Sequence, residues 1–184
     1  MRWDGAQVAL WPLHLARLRA GAEALGWAVP KIAPQGPAGQ AARLRLTLDA
    51  AGRVEVEAGP LPPVVAVWRL GLAAERLAST DPWLRVKTTR RAAYDRARAG
   101  LAEGLDEALF RNERGEVCDG TITTLFFDRG AGMRTPPVAC GVLPGVLRAH
   151  LACPEEVLMA ADLPHVRLWL GNAVRGLAPA VWCG

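Results

Sequence analysis

The stretch with the clearest chemical potential is Val86-Lys87-Thr88-Thr89, which contains one of only two lysines in a chain with 20 arginines. Arginine stays protonated in proteins, whereas a lysine amine that loses its proton can attack a carbonyl carbon and form a Schiff base. An apolar residue and two hydroxyls flank Lys87, which favours a partly buried amine. The alternative is a solvated lysine at the end of a strand, since most lysines lie at the surface.

A second stretch with chemical potential begins at an acid, Asp119-Gly120-Thr121, and continues through further hydroxyls to the aromatic pair Phe126-Phe127. A carboxylate at the mouth of a buried strand costs free energy unless it faces a cation. We therefore expect Asp119 to lie opposite a positive group.

Two glycine-containing stretches add candidate binding groups. Gly141-Val142-Leu143-Pro144-Gly145 precedes a predicted helix, and the backbone N–H groups at a helix N-terminus bind anions such as phosphate. The turn over residues 172–176 presents Arg175. The alternatives are an ordinary loop for the first stretch and a surface arginine for the second.

The composition is that of a globular protein: the chain has 184 residues, of which 51% are hydrophobic and 22% charged, and a net charge of +4. Basic and acidic residues are interleaved without a run of like charge, so no nucleic-acid-binding arm is indicated. A modest basic excess suits an anionic small molecule instead. Because there is no apolar run of 18 residues and no signal-like N-terminus, we predict a cytoplasmic chain without a membrane span.

No metal site is predicted. The four cysteines do not form a C-x-x-C pair, and the three histidines lack the spacing of metal ligands. Free thiols in a reducing cytoplasm are the interpretation that follows.

The elements that position these residues begin with a small N-terminal lobe, residues 1–78. Apolar spacing and turn dipeptides predict a hairpin over residues 1–11, a helix over 12–27, and strands over 44–48, 54–56 and 64–68. Residues 29–41 are predicted to be a loop and residues 70–82 a connector. The chain begins inside what should be a strand, so we expect an opening strand to be missing.

The rest of the chain, residues 79–184, is predicted to be a larger C-terminal lobe. The predicted elements are a helix over 91–105, a strand over 107–111, strands at 117 and 121–127 that turn back on each other, a helix over 146–151, and strands over 166–170 and 178–182. The fold class is therefore α/β, or α+β in detail.

Taken in order, these motifs resemble the class IV aminotransferase family of fold-type IV pyridoxal-phosphate enzymes, which includes D-amino-acid and branched-chain aminotransferases. The resemblance runs from about residue 1 to 180 and is carried by residues 14–18, 87–94, 107–109, 112–115, 119–122, 125–127, 135–137, 140–148 and 172–177. The Lys-Thr-Thr and Gly-Val-Leu-Pro-Gly-Val-Leu-Arg stretches are most similar to those of 4-amino-4-deoxychorismate lyases. The resemblance implies a two-lobe fold with the cofactor in the cleft, here with a shortened N-terminal lobe.

The resemblance further implies a site for pyridoxal 5'-phosphate. Lys87 would form the Schiff base with the cofactor and then serve as acid and base on the substrate carbon. Arg17 would hold the phosphate through charge-assisted hydrogen bonds, helped by main-chain groups near Val142 and Leu143. Asp119 would sit by the pyridine nitrogen, where a carboxylate keeps that nitrogen protonated.

Substrate-binding residues are implied less specifically. Arg90 and Arg175 are the candidates for a substrate carboxylate, and Tyr94 is a further candidate, with surface arginines as the alternative. For Arg17, the alternative is a position on the solvated face of its helix, which it shares with His14.

Three features of the chain depart from the family pattern. Asp119 stands where the family usually has Glu, which is one methylene longer. Thr124, a further candidate for cofactor binding, stands where the family usually has Asn, which removes an amide from the site. The first lobe is short. These departures bear on activity more than on fold or cofactor binding.

The expected function is that of a 4-amino-4-deoxychorismate lyase, which forms 4-aminobenzoate and pyruvate in folate biosynthesis. One alternative is a branched-chain or D-amino-acid aminotransferase. Another is a catalytically weak relative that binds pyridoxal phosphate, another phosphate ligand or a partner. Family analogy implies a homodimer, with no nucleic-acid or membrane partner.

Overall fold

The computed structural model describes residues 1–184 and divides them into two compact units. Unit 1 contains Met1–Val64 and Ala173–Arg175, and unit 2 contains Val65–Asn172 and Gly176–Gly184. The sequence suggested a division between residues 78 and 79. The units divide earlier in the chain because the strand that follows residue 67 pairs within the sheet of unit 2.

Unit 1 is a three-stranded antiparallel sheet with one helix. The strands are β1 (Arg2–Trp3), β2 (Ala42–Leu48) and β3 (Val54–Gly59), in that order across the sheet, and the helix is α1 (Trp11–Ala24). In the hairpin predicted over residues 1–11, the turn lies at Asp4, whose carboxylate accepts hydrogen bonds from the amides of Ala6 and Gln7 at 2.9 and 2.8 Å. The core of this unit contains Trp3, Val8, Ala42 and Leu44.

Unit 2 is built on a six-stranded mixed sheet with the order β6-β5-β4-β9-β8-β7. The strands are β4 (Trp68–Leu77), β5 (Glu107–Asn112), β6 (Val117–Gly120), β7 (Thr124–Asp128), β8 (Arg167–Asn172) and β9 (Gly176–Trp182). The helices are α2 (Ala92–Ala99) and α3 (Val146–Leu151), with short 3₁₀ helices at Pro82–Arg85, Val138–Cys140 and Ala160–His165. No helix of the chain is long and apolar enough to cross a membrane.

The prediction of a connector over residues 70–82 was wrong, because most of it forms β4. This strand runs parallel to both β5 and β9, and its Leu70 is fully buried. The polar residues of this strand, Arg69, Glu75 and Arg76, do not alternate regularly with its apolar residues, and a glycine inside it weakens the strand pattern. A Cβ on Gly71 would lie 2.8 Å from Cδ1 of Leu105, so the Leu105 side chain would have to shift to admit one.

Two smaller predictions were also wrong. The strands around residues 117 and 124 do not pair with each other, because β6 and β7 are the first and last strands in the order of the sheet. Helix α2 ends at Ala99 rather than near residue 105, where Gly100 follows as its C-terminal cap. β6 ends at Gly120 and β7 begins at Thr124, so residues 121–123, which were predicted to be part of a strand, form a tight turn.

Candidate active site

The most unusual group in unit 2 is the carboxyl of Asp119, which is 5% exposed near the end of β6. Its Oδ1 atom is buried and accepts no hydrogen bond from the protein. Burial raises the pKa of Asp119 to about 7, while the charge of Lys87, the Thr124 side chain and the charge of Arg148 each lower it. The expectation that this acid lies near a positive group is met, since the charges of Lys87 and Arg148 both act on it.

Lys87 lies on the segment that joins the 3₁₀ helix at Pro82–Arg85 to α2. The prediction of a partly buried amine was wrong, because Lys87 is exposed. Its positive charge nevertheless reaches the buried Asp119 and is the strongest of the influences that lower the pKa of that acid. The structure therefore brings an accessible amine and a buried carboxyl under mutual electrostatic influence within one unit.

The turn that follows Asp119 is organised by Glu107, a fully buried residue at the start of β5 to which the sequence analysis assigned no role. Its carboxylate accepts hydrogen bonds from the amides of Thr121 and Ile122 at 2.9 and 3.2 Å and from the hydroxyls of Thr121 and Thr123. The sequence signal was an acid at the head of an apolar strand together with a run of hydroxyls, and only the tertiary fold joins the two.

Helix α2 holds the same turn from the other side. Arg91, four residues after Lys87, donates to the carbonyl oxygen of Thr121 at 2.8 Å. Arg98, about two helical turns further along, forms an ion pair of 3.5 Å with Glu107 and donates to the carbonyl of Asp106 at 2.9 Å. The segment that presents Lys87 and the turn that follows Asp119 are thus tied together through arginine side chains.

Thr124 opens β7 and is 6% exposed. A Cβ built on Gly145, immediately before α3, would lie 3.1 Å from the Thr124 hydroxyl, so the start of this helix lies close to β7. Arg148 on α3 is buried and donates to the Thr135 hydroxyl and to the carbonyl of Pro136, both at 2.7 Å. These contacts fix α3 and leave Thr124 beside Asp119.

The predicted phosphate-binding main chain lies in the loop before α3. Val142 is fully buried and Leu143 is partly buried, and the amide nitrogens of both donate no hydrogen bond within the protein. Gly141 precedes them with φ of 99°, a left-handed conformation that favours glycine. The loop therefore offers backbone donors without a partner in the protein, although α3 itself is only six residues long.

The other candidates of unit 2 lie on or just before α2. The Tyr94 ring packs edge-on against Phe110 with centroids 4.9 Å apart, and burial raises the pKa of its hydroxyl, with the negative charge of Asp119 as the next cause. Arg90 is exposed, and its guanidinium lies 5.0 Å from the centroid of the Trp83 ring. Tyr94 is therefore near the buried acid, and Arg90 is at the surface.

In unit 1, Arg17 lies on α1 with its guanidinium partly buried and without an acidic partner. Burial lowers the pKa of Arg17 from its ordinary value. His14, one turn earlier, is 7% exposed with neither ring nitrogen hydrogen-bonded, and burial followed by the charge of Arg17 lowers its pKa to about 3. The alternative of a fully solvated face does not hold for this pair, and the unpaired guanidinium is suited to an anion.

Arg175 belongs to the part of the chain that unit 1 takes from the turn between β8 and β9. Its guanidinium donates to the carbonyl oxygen of Pro63 at 2.8 Å, a contact within the same unit. Arg175, a candidate for binding a substrate carboxylate, therefore also holds the backbone near Pro63.

These residues suit a ligand that carries both a protonated ring nitrogen and an aldehyde. The unbonded Oδ1 of Asp119 fits a protonated heterocyclic nitrogen, since a buried acceptor without a donor is costly. Within unit 2, an accessible lysine amine fits a carbonyl carbon, and the loop amides of Val142 and Leu143 fit a phosphate. The Arg17 guanidinium of unit 1, taken by itself, suits an anion. The donor set therefore suits pyridoxal 5'-phosphate.

Comparison with known proteins gives the family. A family model described as amino-transferase class IV matches residues 1–182. A Schizosaccharomyces pombe protein, provisionally named an aminodeoxychorismate lyase, is 30% identical over 162 residues, which cover 81% of this chain and 69% of that protein.

Solved structures give the fold. A Mesorhizobium loti protein, provisionally named an amino-acid aminotransferase, has 41% identity and a TM-score of 0.91, with 100% of this chain and 97% of that chain covered. A 4-amino-4-deoxychorismate lyase from Pseudomonas aeruginosa has 20% identity and a TM-score of 0.76, with 99% of this chain and 81% of that chain covered.

Proposed function

This chain belongs to the class IV aminotransferase family of pyridoxal-phosphate enzymes, and we propose that it is a 4-amino-4-deoxychorismate lyase that forms 4-aminobenzoate and pyruvate. The family resemblance and the fold predicted from the sequence, including the shortened N-terminal lobe, are confirmed by the same matches. The specific reaction, its place in folate biosynthesis, a cytoplasmic location and a homodimeric state are parts of the proposal.

The observation that carries the cofactor proposal is the buried Asp119 with its unbonded Oδ1, close enough to Lys87 for the lysine charge to lower its pKa. A carboxylate at this place stabilises a protonated pyridine nitrogen by opposite charge. Pyridoxal phosphate, when bound, supplies an electron sink for charge that develops on the substrate carbon.

In this proposal Lys87 is the catalytic residue. Its exposed position lets the amine reach a bound aldehyde and then a substrate carbon, from which it removes a proton. In the lyase reaction the ring loses this proton and becomes aromatic as the enolpyruvyl group leaves, and that group takes up a proton to become pyruvate. The same lysine would return a proton in a transaminase, so Lys87 alone does not choose between the two.

The remaining roles follow from charge and available donors. Arg17 would hold the phosphate, because its guanidinium has no acidic partner and is partly withdrawn from water. The amides of Val142 and Leu143 would contribute backbone donors. Arg90 and Arg175 would attract the carboxylates of the substrate, with Tyr94 as a further contact.

Two functions within the family have specific support. The relative from Schizosaccharomyces pombe supports the lyase by name, and so does the likeness of the Lys-Thr-Thr stretch to that class. The 41% identity with the Mesorhizobium protein supports an aminotransferase that acts on an amino acid such as a branched-chain or D-amino acid. Asp119 and Thr124, which replace the usual Glu and Asn, support the third possibility of a weak enzyme that binds the cofactor.

The experiment that tests the proposal uses the purified protein with added pyridoxal phosphate. Borohydride reduction followed by peptide mapping is expected to leave the pyridoxyl group on Lys87, with the exposed Lys31 as the internal control, because these are the only lysines. The loaded protein is then assayed for pyruvate release from 4-amino-4-deoxychorismate and for amino transfer to 2-oxoglutarate. Labelling of Lys31 alone contradicts the site, and transfer without pyruvate release selects the aminotransferase.

A further inference from the structure

We propose that Glu107 is a positioning residue for the cofactor-facing pair: it fixes the turn at residues 120–123 and so determines where Asp119 and Thr124 lie. The functional meaning of this inference rests on the proposed cofactor site, because Asp119 and Thr124 are the side chains assigned to pyridoxal phosphate. Glu107 itself touches neither cofactor nor substrate in this arrangement.

Both oxygens of the Glu107 carboxylate bind the turn. Oε1 accepts from the amide and the hydroxyl of Thr121, and Oε2 accepts from the amide of Ile122 at 3.2 Å and the hydroxyl of Thr123 at 2.9 Å. Each oxygen therefore takes one backbone and one side-chain donor from consecutive residues. Such an arrangement determines the backbone path of the turn as well as its position.

The turn around this carboxylate is tight. The amide of Gly120 donates to the carbonyl of Thr123 at 2.8 Å, which closes the turn directly after Asp119 and directly before Thr124. A Cβ on Gly120 would clash with the Thr123 hydroxyl and would lie 3.1 Å from Cδ of Glu107 and 3.0 Å from the Thr123 carbonyl oxygen. Asp119 and Thr124 therefore flank a tight turn that packs against the Glu107 carboxylate.

A buried carboxylate such as that of Glu107 requires a full set of hydrogen-bonding partners. Glu107 is 0% exposed, and an unpaired buried carboxylate would be strongly destabilising. Here the four turn donors, the adjoining amide of Ala108 at 3.0 Å and the Arg98 guanidinium at 3.5 Å surround it. Through Arg98 and Arg91 the same turn is bound to α2, the helix that begins just after Lys87.

The consequence can be measured at Asp119 without any cofactor. The groups that act on the Asp119 carboxyl are Lys87, Thr124, Arg148 and Glu107, and the Tyr94 hydroxyl and Cys118 thiol also lie within its electrostatic reach. Loss of the Glu107 charge lowers the pKa of Asp119, and a loosened turn admits water, which lowers it further. Both effects have the same sign.

The test is a titration of the apo-protein labelled with ¹³C at the aspartate carboxyl, followed by NMR from pH 4 to 9. The Asp119 signal is identified by its absence in Asp119→Asn. In Glu107→Gln we expect its midpoint to lie below the wild-type value by about one pH unit. A midpoint within ~0.2 units of wild type in a folded Glu107→Gln protein overturns the proposal.

A matched control is Asp128→Asn, at the other end of β7. Asp128 is also buried and holds a turn, through bonds from the amides of Gly130 and Gly132 at 2.6 and 3.0 Å. This variant is expected to lose stability and to leave the Asp119 midpoint unchanged. If Asp128→Asn moves the midpoint as far as Glu107→Gln does, the effect reports general loosening and the positioning role is wrong.

A second variant covers the case in which Glu107→Gln does not fold. Thr123→Val keeps the volume and the Glu107 charge but removes one donor to Oε2, so it loosens the turn alone. We expect a smaller downward shift of the Asp119 midpoint and faster exchange of the Ile122 amide. An unchanged midpoint together with unchanged exchange overturns the proposal.

The outcome is separable from the proposed function. Labelling of Lys87 by pyridoxal phosphate with an unmoved Asp119 midpoint refutes the role of Glu107 and keeps the enzyme. A shifted midpoint without labelling of Lys87 supports the control of Asp119 by Glu107 and refutes the assigned cofactor site.

Discussion

The positive charge of Lys87 lowers the pKa of Asp119 and so opposes the rise that burial causes. The lysine is exposed before α2, whereas the acid is 5% exposed near the end of β6. An accessible nucleophile and a buried acid are therefore coupled in the protein before any ligand binds. A cofactor with an aldehyde and a ring nitrogen would contact both residues: the aldehyde would meet Lys87 and the ring nitrogen would meet Asp119.

Replacement of the lysine tests both its chemistry and its coupling. Lys87→Ala is expected to abolish turnover while the free energy of unfolding changes by less than about 0.5 kcal/mol, because the side chain is exposed. The pKa of Asp119 should rise further, since its strongest opposing charge is lost. Pyruvate release, urea unfolding and the carboxyl titration measure the three effects. Lys31→Ala is the control, and substantial residual turnover in Lys87→Ala contradicts the assigned role.

The closed turn after Asp119 predicts intolerance of a side chain at Gly120. Gly120→Ala is expected to destabilise unit 2 by about 1–3 kcal/mol, the typical cost of forcing atoms into a packed site. The new Cβ would crowd Cδ of Glu107 at 3.1 Å and the Thr123 carbonyl at 3.0 Å. Urea unfolding measures the change. Gly59→Ala is a suitable control, because its Cβ would meet only Arg43, at 3.5 Å; equal effects at both positions would contradict the packing argument.

Local patterns in the sequence were sufficient for several parts of this structure. Helix α1, the strands β2, β3, β8 and β9, and helix α3 lie close to their predicted positions because each has regular apolar spacing or a clear turn signal. Strand β4 could not be found in this way, because its polar and apolar residues do not alternate regularly and Gly71 lies inside it.

The residues of the candidate site were likewise only partly predictable from the sequence. Lys87 and Asp119 were predicted from residue type and family pattern, but the exposure of the lysine depends on the fold of its segment. Glu107 had no predicted role, since its partners lie 14 to 16 residues away and meet it only when β5 and β6 pair. Long-range pairing of this kind has no local signature in a single sequence.

The unpaired guanidinium on α1 leads to a prediction about affinity. Arg17→Ala is expected to weaken binding of pyridoxal phosphate by about 1.5–3 kcal/mol, the worth of a hydrogen bond to a charged group. This corresponds to a loss of roughly 10- to 150-fold in the dissociation constant. Arg19→Ala removes an exposed arginine from the same helix and should leave the affinity unchanged. Equal affinities for the Arg17 variant and wild type, measured by fluorescence titration, would remove Arg17 from the phosphate site.

The raised pKa of Asp119 predicts how stability depends on pH. Its folded-state pKa of about 7 lies above the ordinary value of 3.8, so between these values the native chain binds more protons than the unfolded chain. The contribution of this group to stability is therefore full below about pH 4 and is lost as the pH rises to about 7. Asp119→Asn lacks this loss, so the apo-variant should match wild type at pH 4 and exceed it at pH 8 by at most about 4 kcal/mol.

Urea unfolding of the apo-proteins at pH 4, 6 and 8 measures this difference. Asp128→Asn provides a control of opposite sign, because backbone hydrogen bonds from Gly130 and Gly132 lower the pKa of Asp128, and its contribution to stability is lost as the pH falls. Asp119→Asn should also bind pyridoxal phosphate more weakly, since a neutral amide does not attract a protonated ring nitrogen. A variant that is more stable and binds less well would show that Asp119 is retained for binding at the expense of stability. Equal stability of Asp119→Asn and wild type at pH 8 would mean that the acid is not strained by burial.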